Sequence, residues 1–379
     1  ILYAKKATDR MYPASTTKLM TALLTLEHAS LSDVVTFSQT SVLIPPGSSH
    51  IGMRRGDQMV LRECLLGLLL PSANEVANAL AEHTAGTIGY FTTLMNEKAL
   101  ALGAVNTVFR NVNGLHEEGH YTCCYDLALI MRELSTNNTF TELAGTPSYV
   151  HHADDLLPKD IPMMNTNQMI RPATEYYNDT VVCGKTGHTE ESGYNLVTYA
   201  EKDGVHLIAV VMGCESGQEY VSTQSLLDYG FNYFHLVLPA QLDVSLNMEN
   251  AFTSSPLRIP TKTENLVYID ENDSILLPDN VSFDMLQKNV EDLEDGKKIT
   301  YTYQDYPLGN VTLKFGKNRE LDAIYRTEEA EDYTREAYPL FTIDVWFVGA
   351  LVLMILLFVI LTLTLAKRRK TGNVTRLKL

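Results

Sequence analysis

Three short runs carry residue types that together can perform acyl transfer. In Ser15-Thr16-Thr17-Lys18 a hydroxyl and an amine stand three apart, on one face of a helical start. A serine hydroxyl is a weak nucleophile until a base takes its proton. A lysine whose pKa is lowered by burial can be that base, and a helix N-terminus favours a developing oxyanion. Ser72-Ala73-Asn74 lies at a break between two apolar segments. There a hydroxyl could relay a proton and an amide could hold a substrate amide. Lys185-Thr186-Gly187 comes just before a hairpin pattern. On a strand, Lys185 and Thr186 would bind a carboxylate, and Gly187 would let substrate backbone approach closely. Taken singly, each run has a bland alternative: a capping serine with a solvated lysine, a helix cap at Ser72, a turn between strands.

Two other clusters invite a metal. His116-Glu117-Glu118-Gly119-His120 matches the H-E-x-x-H zinc spacing. That chemistry needs both histidines on one helical face, whereas Asn113-Gly114 before the run and Gly119 inside it predict a loop. His151-His152 with Asp154-Asp155 reads as a solvated loop.

In this order the three runs resemble the penicillin-recognising serine enzymes. Tyr12-Pro13-Ala14-Ser15-Thr16-Thr17-Lys18-Leu19-Met20-Thr21 is similar to the P-A-S-x-T-K-x-M-T run of the low-molecular-weight D-Ala-D-Ala carboxypeptidases (peptidase family S11). Asn113-Gly114-Leu115, His120-Tyr121-Thr122, Tyr125-Asp126-Leu127-Ala128, Asn165-Thr166-Asn167 and Lys185–Thr189 with Ser192-Gly193-Tyr194 resemble further segments of that family. The likeness extends over residues 1 to 320. It departs at Cys183, on the approach to Lys185, and in a fully apolar C-terminal span where many relatives use an amphipathic helix.

The resemblance implies specific roles. Ser15 attacks the carbonyl of the penultimate D-Ala of a peptidoglycan stem peptide, and Lys18 takes its proton. Ser72 and Asn74 assist proton transfer and substrate placement. Lys185 and Thr186 bind the terminal carboxylate beside Gly187. The backbone N–H groups of Ser15 and His188 form the oxyanion hole. β-Lactams would acylate Ser15 as mimics of the acyl-D-Ala-D-Ala end, and no metal or organic cofactor would be needed. A D,D-endopeptidase would use the same residues. A class A β-lactamase would need a further glutamate, and no E-x-x-x-N run follows Ser72. A β-lactam sensor would need an output module, and only thirteen residues follow Ala366.

Helical patterns that would position these groups span 15–29, 58–70, 75–84, 88–102, 122–135 and 217–235. Residues 194–200 and 205–212 read as strands joined through Glu201-Lys202-Asp203-Gly204. The expected fold class is α+β: a β-lactamase/transpeptidase-like domain (antiparallel sheet with helices) over 1–236, then a small all-β domain over 237–317, with alternating stretches at 266–269 and 298–303. A charged stalk is expected over 318–344. Val345 to Ala366 carries no charge, and at ~1.5 Å per residue it would cross a ~30 Å hydrocarbon core as one transmembrane helix, in contact with membrane lipid. Trp346 suits an interfacial anchor. Lys367-Arg368-Arg369-Lys370 opens a basic tail, 367–379, that the positive-inside rule places in the cytoplasm, with 1–344 outside a bacterial cell membrane. The start at Ile1 without Met or leader suggests a mature or truncated product.

The bulk composition excludes some classes. Net charge is −16, from 30 basic and 46 acidic residues, and six of the basic residues lie in the tail, so no footprint for nucleic acid exists. The five cysteines form no C-x-x-C pair, which argues against a disulfide framework or zinc ribbon; Cys64 and Cys214 read as small core residues.

Overall fold

The computed structural model of the chain describes residues 1–242, 266–269, 273–293 and 296–316. The stalk, membrane span and basic tail expected from the sequence lie outside the described residues. Among the described residues, no helix is long and apolar enough to cross a membrane.

The first half is helical. A 3-10 turn, Ala14–Thr17, runs directly into α1 (Lys18–His28), which is buried from Lys18 through Thr25. Strands β1 (Val34–Thr36) and β2 (Gln58–Val60) pair antiparallel, and α2 (Leu61–Leu69), α3 (Asn74–Ala85) and α4 (Ile88–Ala101) follow. The sequence pattern extends α2 back to residue 58, but only Met59 of Gln58–Val60 is buried, which is the period of a strand. Helices α5 (Cys124–Ser135) and α6 (Asn138–Ala144) precede a hairpin of β3 (Ser148–His151) and β4 (Ile161–Met164). One apolar core joins these helices and includes the fully buried rings of Phe37, Phe91, Phe109 and Phe140. Truncating any of the four to alanine would cost about 3–5 kcal/mol.

Beside this block stands a three-stranded antiparallel sheet of β5 (Val181–Thr189), β6 (Gly193–Lys202) and β7 (Val205–Cys214), in that order. Its two faces alternate as a pleat requires. Val197 and Tyr199 face the helical core, with Cys183 beside them. Leu196, Ala200, Leu207, Ala209 and Val211 face Tyr220 and Leu227 of α7 (Gln218–Tyr233). Helices therefore cover both faces. The β6–β7 connection is tighter than the sequence pattern suggests. Only Asp203 and Gly204 lie between the strands, both with positive φ (52° and 78°), as a type I′ turn demands. At the unusual Cys183 the β5–β6 register shifts, between Val181 and Cys183, before settling with Lys185 opposite Val197 and Gly187 opposite Asn195.

Strand β8 (Phe234–Val237) follows, then a short helix α8 (Pro239–Leu242) and β9 (Leu266–Ile269). Next come β10 (Ile275–Pro278), β11 (Gln287–Leu293), β12 (Gly296–Tyr303) and β13 (Tyr306–Gly316). β8 pairs with β10, and the other four strands form an antiparallel sheet in the order β11-β12-β13-β9. Ile275, Leu277, Ile299, Tyr301 and Val311 fill a separate small core.

Candidate active site

The hydroxyl of Ser15 sits in the 3-10 turn rather than in the α-helix itself. That geometry eclipses residues three apart, so it aligns Ser15 with Lys18 more closely than an α-turn would. The turn is strained and held. Ala14 has φ +48°, outside the range usual for alanine. Thr16 Oγ1 donates to Pro13 O at 2.7 Å. From β6, Asn195 Nδ2 donates to Tyr12 O and Pro13 O at 3.0 and 3.1 Å, while its Oδ1 accepts from Gly213 N at 2.9 Å.

Lys18 is fully buried. Its Nζ lies 3.0 Å from Ser15 Oγ, 2.7 Å from Asn74 Oδ1 and 2.6 Å from Asn113 O. The two shorter contacts are to acceptors and the third is to a hydroxyl. A neutral amine is thus fully satisfied here: two N–H groups donate to Asn74 and Asn113, and the lone pair faces the Ser15 O–H. Burial, and then repulsion from the Lys185 ammonium, hold Lys18 well below the usual lysine range, with Glu75 pulling weakly the other way.

Asn74 reaches Lys18 from the α2–α3 break, and Ser72 lies two residues before it. Ser72 is buried with φ +66°, a strained conformation for serine. It does not cap α3, and its Oγ has no hydrogen-bond partner among the described residues. The helix-cap alternative therefore fails for a physical reason: the strained backbone and free hydroxyl serve nothing in the helix. Asn74 directs its side chain at Lys18.

The third run lies on β5. Lys185 is buried, its Nζ donates among the described residues only to Thr186 O at 3.0 Å, and burial pushes its ammonium down to about 7. It is a cation short of acceptors. Thr186 Oγ1 is 2.6 Å from Thr166 Oγ1, and Thr166 O accepts from the Tyr220 hydroxyl of α7 at 3.2 Å. A Cβ on Gly187 would lie 2.9–3.0 Å from Pro13 O, Thr16 N and Ser15 N, so only glycine lets β5 pass this close to the serine turn. His188 follows, exposed and stacked on Tyr194. Gly114 is tighter still: with φ +87°, its Cβ would fall 1.9 Å from Ala14 O. The residue before it, Asn113, gives its carbonyl oxygen to Lys18.

Of the eight residues singled out from the sequence, contacts join Ser15, Lys18 and Asn74 directly, and the close approach of Gly187 sets β5, with Lys185, Thr186 and His188, against the serine turn, while Ser72 lies two residues before Asn74. Sequence reasoning missed the supports: the Asn195 clasp, the Asn113 carbonyl as a lysine ligand, the Thr166–Thr186 pair and Glu75 beneath Asn74. The N-T-N run at 165–167 was the one available signal for Thr166.

The histidine clusters resolve differently. His116 and His120 lie in an irregular segment, and His120 is committed through both ring nitrogens, to Thr17 Oγ1 at 2.9 Å and Arg110 N at 3.1 Å. Among the described residues, only Glu63, His151 and Asp154 gather as a metal ion would require. Here the solvated-loop expectation holds for His152, Asp154 and Asp155, which are exposed, and is corrected at His151. His151 is buried on β3 and bonds Glu63 at 2.8 Å, Tyr149 also donates to Glu63, and Asp154 accepts two backbone N–H groups. These atoms are satisfied without an ion.

The sequence model for D-alanyl-D-alanine carboxypeptidases matches residues 1–216. The chain is 33% identical over 337 residues to D-alanyl-D-alanine carboxypeptidase DacF of Bacillus subtilis, covering 87% of this chain and 79% of that one. It is 29% identical over 348 residues to DacA of Escherichia coli, covering 84% and 82%. Penicillin binding protein 6B from Escherichia coli superposes with a TM-score of 0.60 over 82% of this chain and 90% of that chain, a likeness of fold at 24% identity. A Streptomyces DD-transpeptidase superposes with a TM-score of 0.55 at 28% identity, over 61% and 92%.

Proposed function

Because this chain belongs to the D-alanyl-D-alanine carboxypeptidase family of serine peptidases, we propose that it trims the terminal D-Ala from peptidoglycan stem peptides through an acyl-enzyme on Ser15. The observation that carries the residue assignment is the buried, acceptor-satisfied Lys18 amine 3.0 Å from Ser15 Oγ.

Lys18 takes the Ser15 proton as Oγ attacks the carbonyl carbon of the penultimate D-Ala. The carbonyl oxygen becomes an oxyanion between the backbone N–H groups of Ser15 and His188, which the bare Gly187 lets approach each other. Lys18 returns that proton through the Ser72 hydroxyl, which has no hydrogen-bond partner among the described residues and gives up its own proton to the departing D-Ala amine as it takes the one from Lys18, and Asn74 holds Lys18 meanwhile. Lys185 and Thr186 receive the terminal carboxylate, which supplies the buried ammonium with the acceptors it lacks. Water then enters by the reverse path and releases the acyl group. β-Lactams enter the same cleft and acylate Ser15. We further propose that residues 345–366 anchor the chain in a bacterial cell membrane, with the catalytic part on the extracytoplasmic side. The uncharged run followed by Lys367-Arg368-Arg369-Lys370 supports this.

The test is intact-mass spectrometry of the full chain after benzylpenicillin, alongside D-Ala release from diacetyl-Lys-D-Ala-D-Ala, with and without EDTA. One penicilloyl adduct, absent in Ser15→Ala, with D-Ala release indifferent to EDTA, is the expected outcome. No adduct, or activity abolished by EDTA, would overturn the proposal. An adduct without D-Ala release would mark a sensor or an endopeptidase instead.

A further inference from the structure

Glu75 follows Asn74 in the first turn of α3 and is buried to 1% exposure. One carboxylate oxygen, Oε1, accepts the consecutive backbone N–H groups of Ile51, Gly52 and Met53 at 2.7, 3.1 and 3.5 Å. Gly52, with φ +78°, lets these three donors converge on one acceptor. Just before them, Ser49 O accepts the Asn74 backbone N–H at 2.9 Å. The segment 49–53 is thus stitched to the start of α3 at both Asn74 and Glu75, and Ile51 wedges it against Gly67 of α2. The other oxygen, Oε2, is buried with no hydrogen-bond partner among the described residues. A loop staple alone has no use for a full charge in such a place.

We propose that Glu75 is a positioning residue for the acylation step: it pins the first turn of α3 to the 49–53 segment and so fixes the Asn74 side chain against Lys18, with its own carboxylate buried in the same turn. This deepens the Ser15 and Lys18 assignment and rests on it. The charged groups acting on Lys18 are Lys185 from β5 and Glu75 from α3. From its own turn and from the 113–120 segment Lys18 meets the neutral Ser15 Oγ and Asn113 O, while the two ring nitrogens of His120 are taken by Thr17 Oγ1 and Arg110 N. Among the described residues, Glu75 is therefore the acidic group that acts on Lys18 against the effect of Lys185. Its charge opposes loss of the Lys18 proton, and this keeps the lysine able to return that proton later in the cycle.

The test is the second-order rate of Ser15 acylation by benzylpenicillin, followed from pH 5 to 9 on the full chain by intact mass, with thermal melting in parallel. Glu75→Gln keeps an acceptor for Ile51–Met53 but removes the charge. It is expected to melt near the wild type, to lose about tenfold in plateau rate, and to move the acidic limb of the profile down by about one pH unit. Glu75→Asp keeps the charge but withdraws it from the Ile51–Met53 donors, so the limb is expected to stay while the plateau falls. A Glu75→Gln profile with its acidic limb unmoved overturns the proposal, leaving a loop staple. If Glu75→Gln does not accumulate folded, a Glu75→Asp profile identical to wild type overturns it. An unacylated wild type, by contrast, sinks the serine assignment before any Glu75 variant is compared.

Discussion

Ser72 and Lys185 hold conformations and charges that the fold alone would not favour. Replacing Ser72 with glycine removes the strain of φ +66° and is expected to raise unfolding stability by about 1 kcal/mol. The same change deletes the free hydroxyl and should slow acylation by about 100-fold. A urea titration and a penicillin acylation rate on the same variant check both signs. Lys185 must be charged to bind a carboxylate, and its pKa lies at about 7 in the free protein. D-Ala release measured as kcat/KM is therefore expected to fall as pH rises through 7. kcat should persist to higher pH, because a bound carboxylate holds the proton in place. In Lys185→Arg the limb in kcat/KM should vanish, since arginine stays charged. At this scale the sequence was informative wherever residue type alone implied chemistry, as for Ser15, Lys18 and Lys185. It marked Asn113 only as part of the Asn113-Gly114-Leu115 run and was silent on Asn195 and Glu75, because an asparagine or glutamate names no role until the chain has brought its partner near.

Individual elements meet at the site through two bare α-carbons. A methyl on Gly187 would press on three backbone atoms of the serine turn, none of which can swing aside. Gly187→Ala is expected to push β5 away and lower the acylation rate by about 100-fold, with Lys185 and Thr186 chemically intact. In Gly114→Ala the added carbon would collide with Ala14 O at φ +87°, and a loss of about 3 kcal/mol or more in unfolding stability is expected. Thermal and urea melts separate the two outcomes: the first variant folds but acylates poorly, the second folds poorly. Most helices were legible because their apolar faces repeat at helical spacing over ten or more residues. Residues 58–60 were not, since three residues of alternating burial are too few to separate from the helix they lead into. The type I′ turn at Asp203-Gly204 was recognisable as a hairpin, but its strands run closer to the turn than hydropathy alone suggests.

Across the whole molecule, the buried titratable groups set how stability responds to pH. Lys18 and Lys185 both sit below the usual lysine value of 10.5. Above about pH 7 the unfolded chain binds more protons than the folded one at Lys185, so unfolding free energy should rise with pH from there. Cys64, Cys123 and Cys183 are pushed up by burial from 9.0. Above about pH 9 the unfolded thiols give up protons that the folded ones keep, and the gain should reverse. Urea midpoints from pH 6 to 10 are expected to pass through a maximum. The fold class was legible because an antiparallel hairpin and several amphipathic helices leave few arrangements. The closing of the site was not, because its contacts join distant parts of the chain. Lys18 reaches 56 residues to Asn74 and 95 to Asn113, while Asn195 reaches back 182 and 183 residues to Pro13 and Tyr12. That last clasp has a kinetic meaning. The serine turn comes early in the chain, yet it is gripped by a strand near the end of the same domain, so it cannot take its final shape until that strand has docked. During refolding, helical signal should return first, and the capacity to capture fluorescent penicillin should appear only with the slowest long-range step.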